Sequence, residues 1–174
     1  MQAPAYITLL LLLVTTISCT TAPVDLKSPS DRLEARISQE EKGLQLELTH
    51  AGRSIVTADL GKFILGQDTL GLSYDLSEIK FTSKNQQWSP IFGERSTISD
   101  NYNEVQLTLS DSHSSAPPLQ LTCRLYDEGI AFRYYFDSTF NNTLSKELTS
   151  FHFEQDHHVW VTERSQGAYQ KMSI

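Results

Sequence analysis

Glu94, Asn103 and Glu104 are the side chains in this sequence whose types and spacing come closest to acid–base chemistry. A carboxylate moves a proton in catalysis when it converges with a second titratable group on one pocket. A carboxylate at the end of a strand can instead pair with an arginine and fix a loop. The arginines available for such pairs are Arg95, Arg124 and Arg133. We interpret the three polar residues as structural, and the sequence predicts no catalytic residue.

The histidines do not form a second candidate centre. Asp156, His157 and His158 are consecutive. Consecutive residues of a strand point to opposite faces, so the two histidines are not expected to bind one metal ion. His113 and His152 are far apart in the sequence. An epimerase-type reaction needs an acid and a base in one pocket, so an epimerase is the hypothesis that the sequence favours least.

Several aromatic residues have flat apolar faces that can stack on the ring of a sugar. They are Trp88, Tyr102, Trp160 and Tyr169. The alternative for each is packing in the core or against another domain. We take Trp160 and Tyr169 as the candidate substrate-binding residues.

The net charge excludes one class of partner. The 174-residue chain carries a formal charge of −7 and has a pI near 5.1. Nucleic acids are bound through basic surfaces that neutralise their phosphates, so we expect no nucleic-acid partner. A neutral ligand such as a sugar is compatible with this charge.

Two alternating segments predict a β-hairpin around residues 119–136. Apolar residues occupy every second position on both sides of a turn, as half-buried strands require. They are Leu119, Leu121, Cys123 and Leu125 before the turn, and Ile130, Phe132, Tyr134 and Phe136 after it. The turn Asp127-Glu128-Gly129 predicts a three-residue loop in which Gly129 is left-handed. Asp127 is expected to cap its own backbone there.

Similar short strands follow one another along most of the chain. Candidates occur at 33–37, 44–48, 62–65, 78–82, 104–109, 151–153 and 159–161. No apolar set recurs at helical spacing after the N-terminal segment. This pattern predicts an all-β antiparallel sandwich or barrel, and we expect it to be incomplete at its C-terminus.

The N-terminal residues predict export. Residues 7–14 form the apolar run ITLLLLLV, which is shorter than the roughly 20 residues of a membrane-spanning helix and fits a signal-peptide core. Cys19 follows a small residue, as at the lipidated cysteine of a bacterial lipoprotein; cleavage near Ala22 is the alternative. We predict a lipoprotein-type signal peptide at 1–18, lipidation at Cys19 and a linker at 19–25. Cys123 is expected to be a buried free thiol without a disulfide partner.

Two segments together resemble the N-terminal domain of glycoside hydrolase family 97, which contains bacterial α-glucosidases and α-galactosidases. The first carries Trp88, Pro90, Gly93-Glu94, Ile98 and Tyr102-Asn103-Glu104. The second carries Arg124, Tyr126-Asp127, Gly129 and Ala131-Phe132-Arg133-Tyr134. Residues 26–33 and 52–61 fit the opening strands of the family, so the resemblance covers 26–174.

This resemblance implies a β-super-sandwich of the galactose-mutarotase-like type. In the family such a domain precedes a catalytic (β/α)8 barrel that binds α-linked oligosaccharides. Glycoside hydrolysis needs two carboxyl groups about 5–9 Å apart, and the resemblance places both in the barrel. We therefore expect the 174 residues alone to be inactive on glycosides.

The resemblance also implies that this domain supplies one ligand to a calcium ion shared with the barrel. The family has a glutamate there, and the matching position is Gln166, with Glu163 as the alternative. The amide oxygen of Gln166 can bind Ca²⁺ without contributing charge.

Two leading hypotheses follow. The first is a non-catalytic, carbohydrate-binding-type N-terminal domain of an exported family 97 glycoside hydrolase, packed on its barrel. The second is a stand-alone glycan-binding lipoprotein on the surface of the cell. Both place the protein in the periplasm or on the outer membrane of a Gram-negative bacterium, attached to the membrane only through a lipid.

Overall fold

The computed structural model describes residues 22–66, 68–141 and 143–174, and these residues form strands and loops without any helix. The predicted export segment 1–18 and the predicted lipidation site Cys19 lie outside the described residues. No helix in the described part of the chain is long and apolar enough to cross a membrane. The prediction of an all-β antiparallel sandwich is confirmed.

Fourteen strands are present in the described residues. In chain order they are β1 Val24–Lys27, β2 Leu33–Glu40, β3 Gly43–His50, β4 Arg53–Leu60, β5 Phe63–Leu65, β6 Asp68–Leu70, β7 Tyr74–Trp88, β8 Ile98–Asp111, β9 Leu119–Tyr126, β10 Gly129–Phe136, β11 Leu144–Glu147, β12 Ser150–His152, β13 His158–Val161 and β14 Gln170–Ser173.

The first large sheet has the strand order β1-β2-β3-β4-β12, and every pairing in it is antiparallel. Its strands alternate buried apolar residues with more exposed polar ones, as a sheet with one covered face requires. β1 begins at Val24, inside the predicted linker 19–25, because the side chains of Val24 and Leu26 are both buried in the core.

The second large sheet has the order β10-β9-β8-β7. Val105, Leu107 and Leu109 of β8 all point to one face and are almost completely buried. β7 and β8 form a hairpin whose paired part extends from Tyr74 to Trp88 on one strand. Both strands are longer than the predicted 78–82 and 104–109. The sequence pattern does not reveal the added residues, because they carry mixed polar side chains without an apolar alternation.

The buried faces of the two sheets form one hydrophobic core. It contains Val24, Leu26, Leu33, Ala35, Ile37, Leu44, Leu46, Leu48, Ala58 and Leu60 from the first sheet, and Val105, Leu107, Leu109, Leu119, Leu121, Cys123 and Leu125 from the second. Each fully buried leucine contributes about 2 kcal/mol of transfer free energy. Cys123 is a free buried cysteine, as expected, and burial raises the pKa of its thiol to about 12.

Two small sheets complete the structure. One has the order β11-β5-β6, and the other is the hairpin β13-β14. Phe63 of β5 meets Tyr134 and Phe136 of β10 edge-on, with ring centroids 5.0 and 5.1 Å apart. These contacts tie the first small sheet to the second large sheet.

The backbones of Gly61 and Gly71 lie close together. The Tyr74 hydroxyl donates a hydrogen bond to the carbonyl of Gly61 (2.6 Å), and the Gly61 amide donates to the Tyr134 hydroxyl (2.8 Å). Gly71 has a φ of +94°, and a Cβ atom built on it would lie 2.1 Å from the Gly61 carbonyl oxygen. The two glycines therefore let the β4–β5 and β6–β7 connections meet around one tyrosine.

The turn between β9 and β10 differs from its prediction. Tyr126 pairs directly with Gly129, so the loop has two residues, Asp127 and Glu128. Gly129 is not among the residues with positive φ, because it already belongs to β10. Asp127 does not cap its own backbone: its Oδ1 accepts hydrogen bonds from the Ser30 amide (2.9 Å) and hydroxyl (2.6 Å). These bonds lower the pKa of the Asp127 carboxyl.

Candidate functional site

The exposed face of the second large sheet carries a polar cluster that we call the outer-face cluster: Thr82, Tyr102, Glu104, Gln106 and Arg124. The strand register places Thr82, Glu104 and Arg124 side by side on β7, β8 and β9. The Arg124 Nε donates to Glu104 Oε2 at 2.5 Å, and the Gln106 amide donates to Oε1 at 2.8 Å. The guanidinium of Arg124 lies 4.4 Å above the ring of Tyr102.

The outer-face cluster holds Glu104 as a carboxylate. Burial alone raises the pKa of Glu104, but hydrogen bonds from Arg124, Gln106 and Thr82 outweigh it, so the pKa is lowered. The hydrogen bond to Glu104 in turn raises the pKa of Arg124. A general base works best with a pKa near the working pH. The lowered pKa of Glu104 does not suit that role, and its hydrogen bonds join β7, β8 and β9.

Glu94 and Asn103, the two residues considered together with Glu104 for acid–base chemistry, lie apart from the outer-face cluster. Asn103 donates from Nδ2 to the Lys27 carbonyl at 2.8 Å and so links β8 to β1. Glu94 and Arg95 lie exposed in the loop between β7 and β8. The structure does not bring Glu94, Asn103 and Glu104 into one pocket.

A cluster of serine, histidine and aspartate that sequence reasoning missed lies where β12 joins β4. His152 Nε2 lies 3.1 Å from Asp59 Oδ2 and 3.2 Å from Ser150 Oγ. The serine hydroxyl also donates to Asp59 Oδ2 at 3.2 Å. In a hydrolytic triad the serine and the aspartate contact different ring nitrogens. Here both contact Nε2, so this arrangement cannot pass a proton from serine through histidine. The three side chains instead link β12 to β4 by hydrogen bonds.

Only part of this cluster had a signal in the sequence. Ser150 and His152 are two residues apart, which predicts that they share one face of a strand. Asp59 is more than 90 residues earlier in the chain. No local pattern indicates that β4 and β12 are neighbours.

The two candidate substrate-binding residues lie in the β13-β14 region and are both largely exposed. Trp160 is 67% exposed and Tyr169 is 70% exposed. Trp160 belongs to β13, whereas Tyr169 lies in the loop directly before β14. Tyr102, by contrast, is buried beneath Arg124.

The loop between β13 and β14 borders an open polar cavity of about 380 Å³. Both candidate calcium ligands, Glu163 and Gln166, line this cavity, together with Arg164. Gln166 has a φ of +60°, and the Thr162 hydroxyl donates to the Arg164 carbonyl at 2.8 Å. The cavity lining thus offers one carboxylate, the amides of Gln166 and Gln170 and the hydroxyls of Thr162 and Ser165, beside the guanidinium of Arg164.

Metal ligands do not gather elsewhere in the described residues. No group of three or more His, Cys, Asp or Glu side chains there is arranged to hold a metal ion. Asp156 and His157 precede β13, and His158 is its first residue. The ring of His157 contacts Phe153 edge-on at 5.8 Å.

Comparisons with known proteins agree with the fold and the motifs. The family model described as the glycosyl-hydrolase 97 N-terminal domain matches residues 26–173. A glycoside hydrolase family 97 enzyme from Pseudoalteromonas sp. strain K8, in complex with acarbose, is 22% identical over 86% of this chain with a TM-score of 0.75. A variant of that enzyme in complex with panose matches over 85%, also at 22% identity and a TM-score of 0.75.

A β-arabinopyranosidase is 20% identical over 79% of this chain, with a TM-score of 0.70. The matches span 24% of the Pseudoalteromonas chains and 22% of the arabinopyranosidase. At these identities the structures show the fold, and the family model shows the relationship. The chain belongs to the glycosyl-hydrolase 97 N-terminal family.

Proposed function

We propose that this chain is the non-catalytic, carbohydrate-binding-type N-terminal domain of an exported family 97 glycoside hydrolase that acts on α-glycosides. Its role is to pack on a catalytic (β/α)8 barrel and to help shape the substrate site. The observation that carries the proposal is the exposed pair Trp160 and Tyr169 beside the polar cavity of the β13–β14 loop, in a chain of this family.

An aromatic pair beside a polar cavity suits a sugar because each sugar ring has an apolar face and a rim of hydroxyls. Trp160 and Tyr169 supply apolar area for the face. Glu163 and Gln166 supply oxygen and amide groups for the hydroxyls. The related enzyme from Pseudoalteromonas binds acarbose and panose, so these two compounds are the appropriate probes for this chain.

Replacing Trp160 with alanine is expected to weaken the binding of acarbose to the full chain about tenfold, because the sugar loses its stacking surface. Calorimetric titration of the wild-type chain and the Trp160→Ala variant measures this directly. Trp88→Ala is the matched control, since Trp88 is also half exposed but lies at the end of β7.

The control separates the aromatic pair from exposed aromatics in general. We expect Trp88→Ala to bind acarbose as the wild-type chain does. Equal loss in both variants, or unchanged affinity in Trp160→Ala, would contradict the assignment of the site to the β13-β14 hairpin.

The calcium proposal fits this loop only in part. Ca²⁺ takes six to eight oxygen ligands, whereas the side chains around the cavity offer one carboxylate and a few neutral oxygens, next to the positive charge of Arg164. We therefore propose a shared site, to which Glu163 or Gln166 contributes one ligand and the catalytic domain contributes the others. The ion would supply positive charge beside the bound sugar.

Gln166→Glu is expected to strengthen calcium binding, because a carboxylate adds the charge that the amide lacks. Calorimetric titration with calcium chloride, with the catalytic domain present to supply the other ligands, compares this variant with the wild type and with Glu163→Gln. Equal calcium affinity in all three proteins would remove both residues from the site.

The runner-up function is a stand-alone glycan-binding lipoprotein on the cell surface, and Cys19 after its apolar run is the observation in its favour. Both functions require export. Mass spectrometry of the chain produced in a Gram-negative host distinguishes lipidation at Cys19 from cleavage near Ala22. Sugar affinity that is the same with and without a catalytic domain would favour the runner-up, whereas tighter binding in its presence would favour the leading proposal.

A further inference from the structure

The free edge of β7 is an unusual surface of this protein. β7 is the last strand of its sheet, with β8 on one side and no strand of the described residues on the other. Every residue from Ser77 to Trp88 is exposed. Such an edge presents unpaired backbone N–H and C=O groups that can accept another strand.

The side chains of this edge are also suited to association. Phe81 and Ile79 pair with Val105 and Leu107 of β8 and therefore point to the core side of the sheet. Phe81 is nevertheless 57% exposed. Glu78, Lys80 and Lys84 point to the opposite side.

We propose that β7 pairs antiparallel with β7 of a second copy of this chain, with a two-fold axis between the two Phe81 residues. In this register each residue meets the residue equally far from Phe81 on the other side. Glu78 of each copy then lies opposite Lys84 of the other, which forms two ion pairs. The two Phe81 side chains meet on the core side.

The charges select this register from its neighbours. Moving the axis by one residue to Lys80 places two lysines opposite each other, and moving it to Thr82 places Lys80 opposite Lys84 twice. Like charges directly opposite each other destabilise a strand pair. An axis at Ile79 pairs Glu78 with Lys80, but it brings the pairing onto the irregularity between Leu76 and Glu78. The Phe81 axis keeps seven consecutive residues, 78 to 84, in regular pairing.

The expected association is weak. Stable interfaces bury about 1,200–2,000 Å², and one seven-residue strand pair is smaller than that. Lys84 also has a partner within its own copy, because its Nζ lies 3.4 Å from Asp100 Oδ2. The dimer should therefore appear in sedimentation experiments at high protein concentration and dissociate on dilution.

Charge exchange tests the pairing in the full chain. Glu78→Lys places lysine opposite lysine twice, and Lys84→Glu places glutamate opposite glutamate twice. Each variant alone should self-associate about tenfold more weakly than the wild type. A mixture of the two variants should recover the wild-type association, because both opposed pairs are then of opposite charge.

Lys80→Glu is the matched control, since Lys80 faces Thr82 in the proposed register. It should associate as the wild type does. Circular dichroism of every variant confirms that each is folded. A wild-type chain that stays monomeric at all concentrations would overturn the proposal, and so would variants that fail to recover on mixing.

Cysteine crosslinking tests the position of the axis. Residues opposite each other in antiparallel strands have Cα atoms about 4.5–5.5 Å apart, within the range of a disulfide, about 4.4–6.8 Å. In a chain carrying Cys19→Ser, Phe81→Cys should form a disulfide-linked dimer under mild oxidation, whereas Ser83→Cys should not. Crosslinking at Ser83 in preference to Phe81 would reject the proposed register.

Discussion

Gly71→Ala is expected to lower the free energy of unfolding by about 3 kcal/mol, because it combines a strained backbone with an atomic clash. The residue has a φ of +94°, where a side chain is unfavourable. The added Cβ would lie 2.1 Å from the carbonyl oxygen of Gly61. No such contact is tolerated, so the backbone must move.

The displaced group is central to the structure. The Gly61 carbonyl accepts the hydrogen bond from the buried Tyr74 hydroxyl, and the Gly61 amide donates to Tyr134. Tyr134 belongs to the second large sheet, whereas Gly61 directly follows β4 of the first. Moving Gly61 therefore weakens a link between the sheets. Denaturant unfolding of the full chain, followed by circular dichroism, measures the loss.

Gly52→Ala is the control for the cost of placing a side chain on a residue with positive φ. Gly52 has a φ of +74°, but nothing lies within 4 Å of a Cβ atom placed on it. Its substitution should cost about 1 kcal/mol, the price of the left-handed conformation alone. If both variants lost the same stability, the contact with Gly61 would not be the cause.

The sandwich could be predicted because the alternation of apolar and polar residues that indicates its strands involves only neighbouring residues. Leu33, Ala35 and Ile37 alternate with polar residues, and the structure buries all three. The hairpin of β9 and β10 was predicted in the same way, from alternation on both sides of a turn. A period of two needs only neighbouring residues to be recognised.

Long-range contacts could not be predicted in this way. Asp127 was assigned to its own turn, yet it binds Ser30, which is 97 residues away. The turn itself was misjudged by one residue, because Gly129 can adopt either sign of φ and here takes a strand conformation. Which strands become neighbours depends on the whole topology, and a single turn motif carries no information about it.

In the candidate site, too, residue type indicates some features and only the fold decides the others. Residue type indicates Trp160 and Tyr169 as candidates, whereas their large exposure is known only from the structure. Tyr102 had the same residue-type signal but lies beneath Arg124. Exposure of an aromatic residue is thus decided by its neighbours across the sheet, in this case by an arginine on the next strand.

Arg124→Gln is expected to lower the free energy of unfolding by about 2 kcal/mol at neutral pH. The Glu104 side chain is 6% exposed and Arg124 is 38% exposed. Removing one partner of a buried pair leaves the other charge without compensation, which costs about 3–5 kcal/mol in a full interior. Because Arg124 is partly exposed to water, the expected loss of unfolding free energy is smaller than that range.

The loss should depend on pH in a definite direction. In the wild type the pKa of Glu104 is lowered on folding, so the stability contributed by the pair is fully present above the unfolded pKa, about 4.3. It decreases as the pH falls through the lower, folded pKa. In Arg124→Gln, only the hydrogen bonds from Gln106 and Thr82 remain to offset burial, so the pKa of Glu104 is expected to be higher than in the wild type. That variant therefore loses less stability on acidification than the wild type does.

The difference in unfolding free energy between the wild type and Arg124→Gln should accordingly shrink as the pH falls below about 4.3. Denaturant unfolding of both proteins across this range measures it. Arg36→Gln is the control, because Arg36 binds Asp25 at 2.7 Å on an exposed surface, where ion pairs contribute little. A difference that stays constant with pH would mean that Arg124 stabilises the sheet by stacking on Tyr102 rather than by pairing with Glu104.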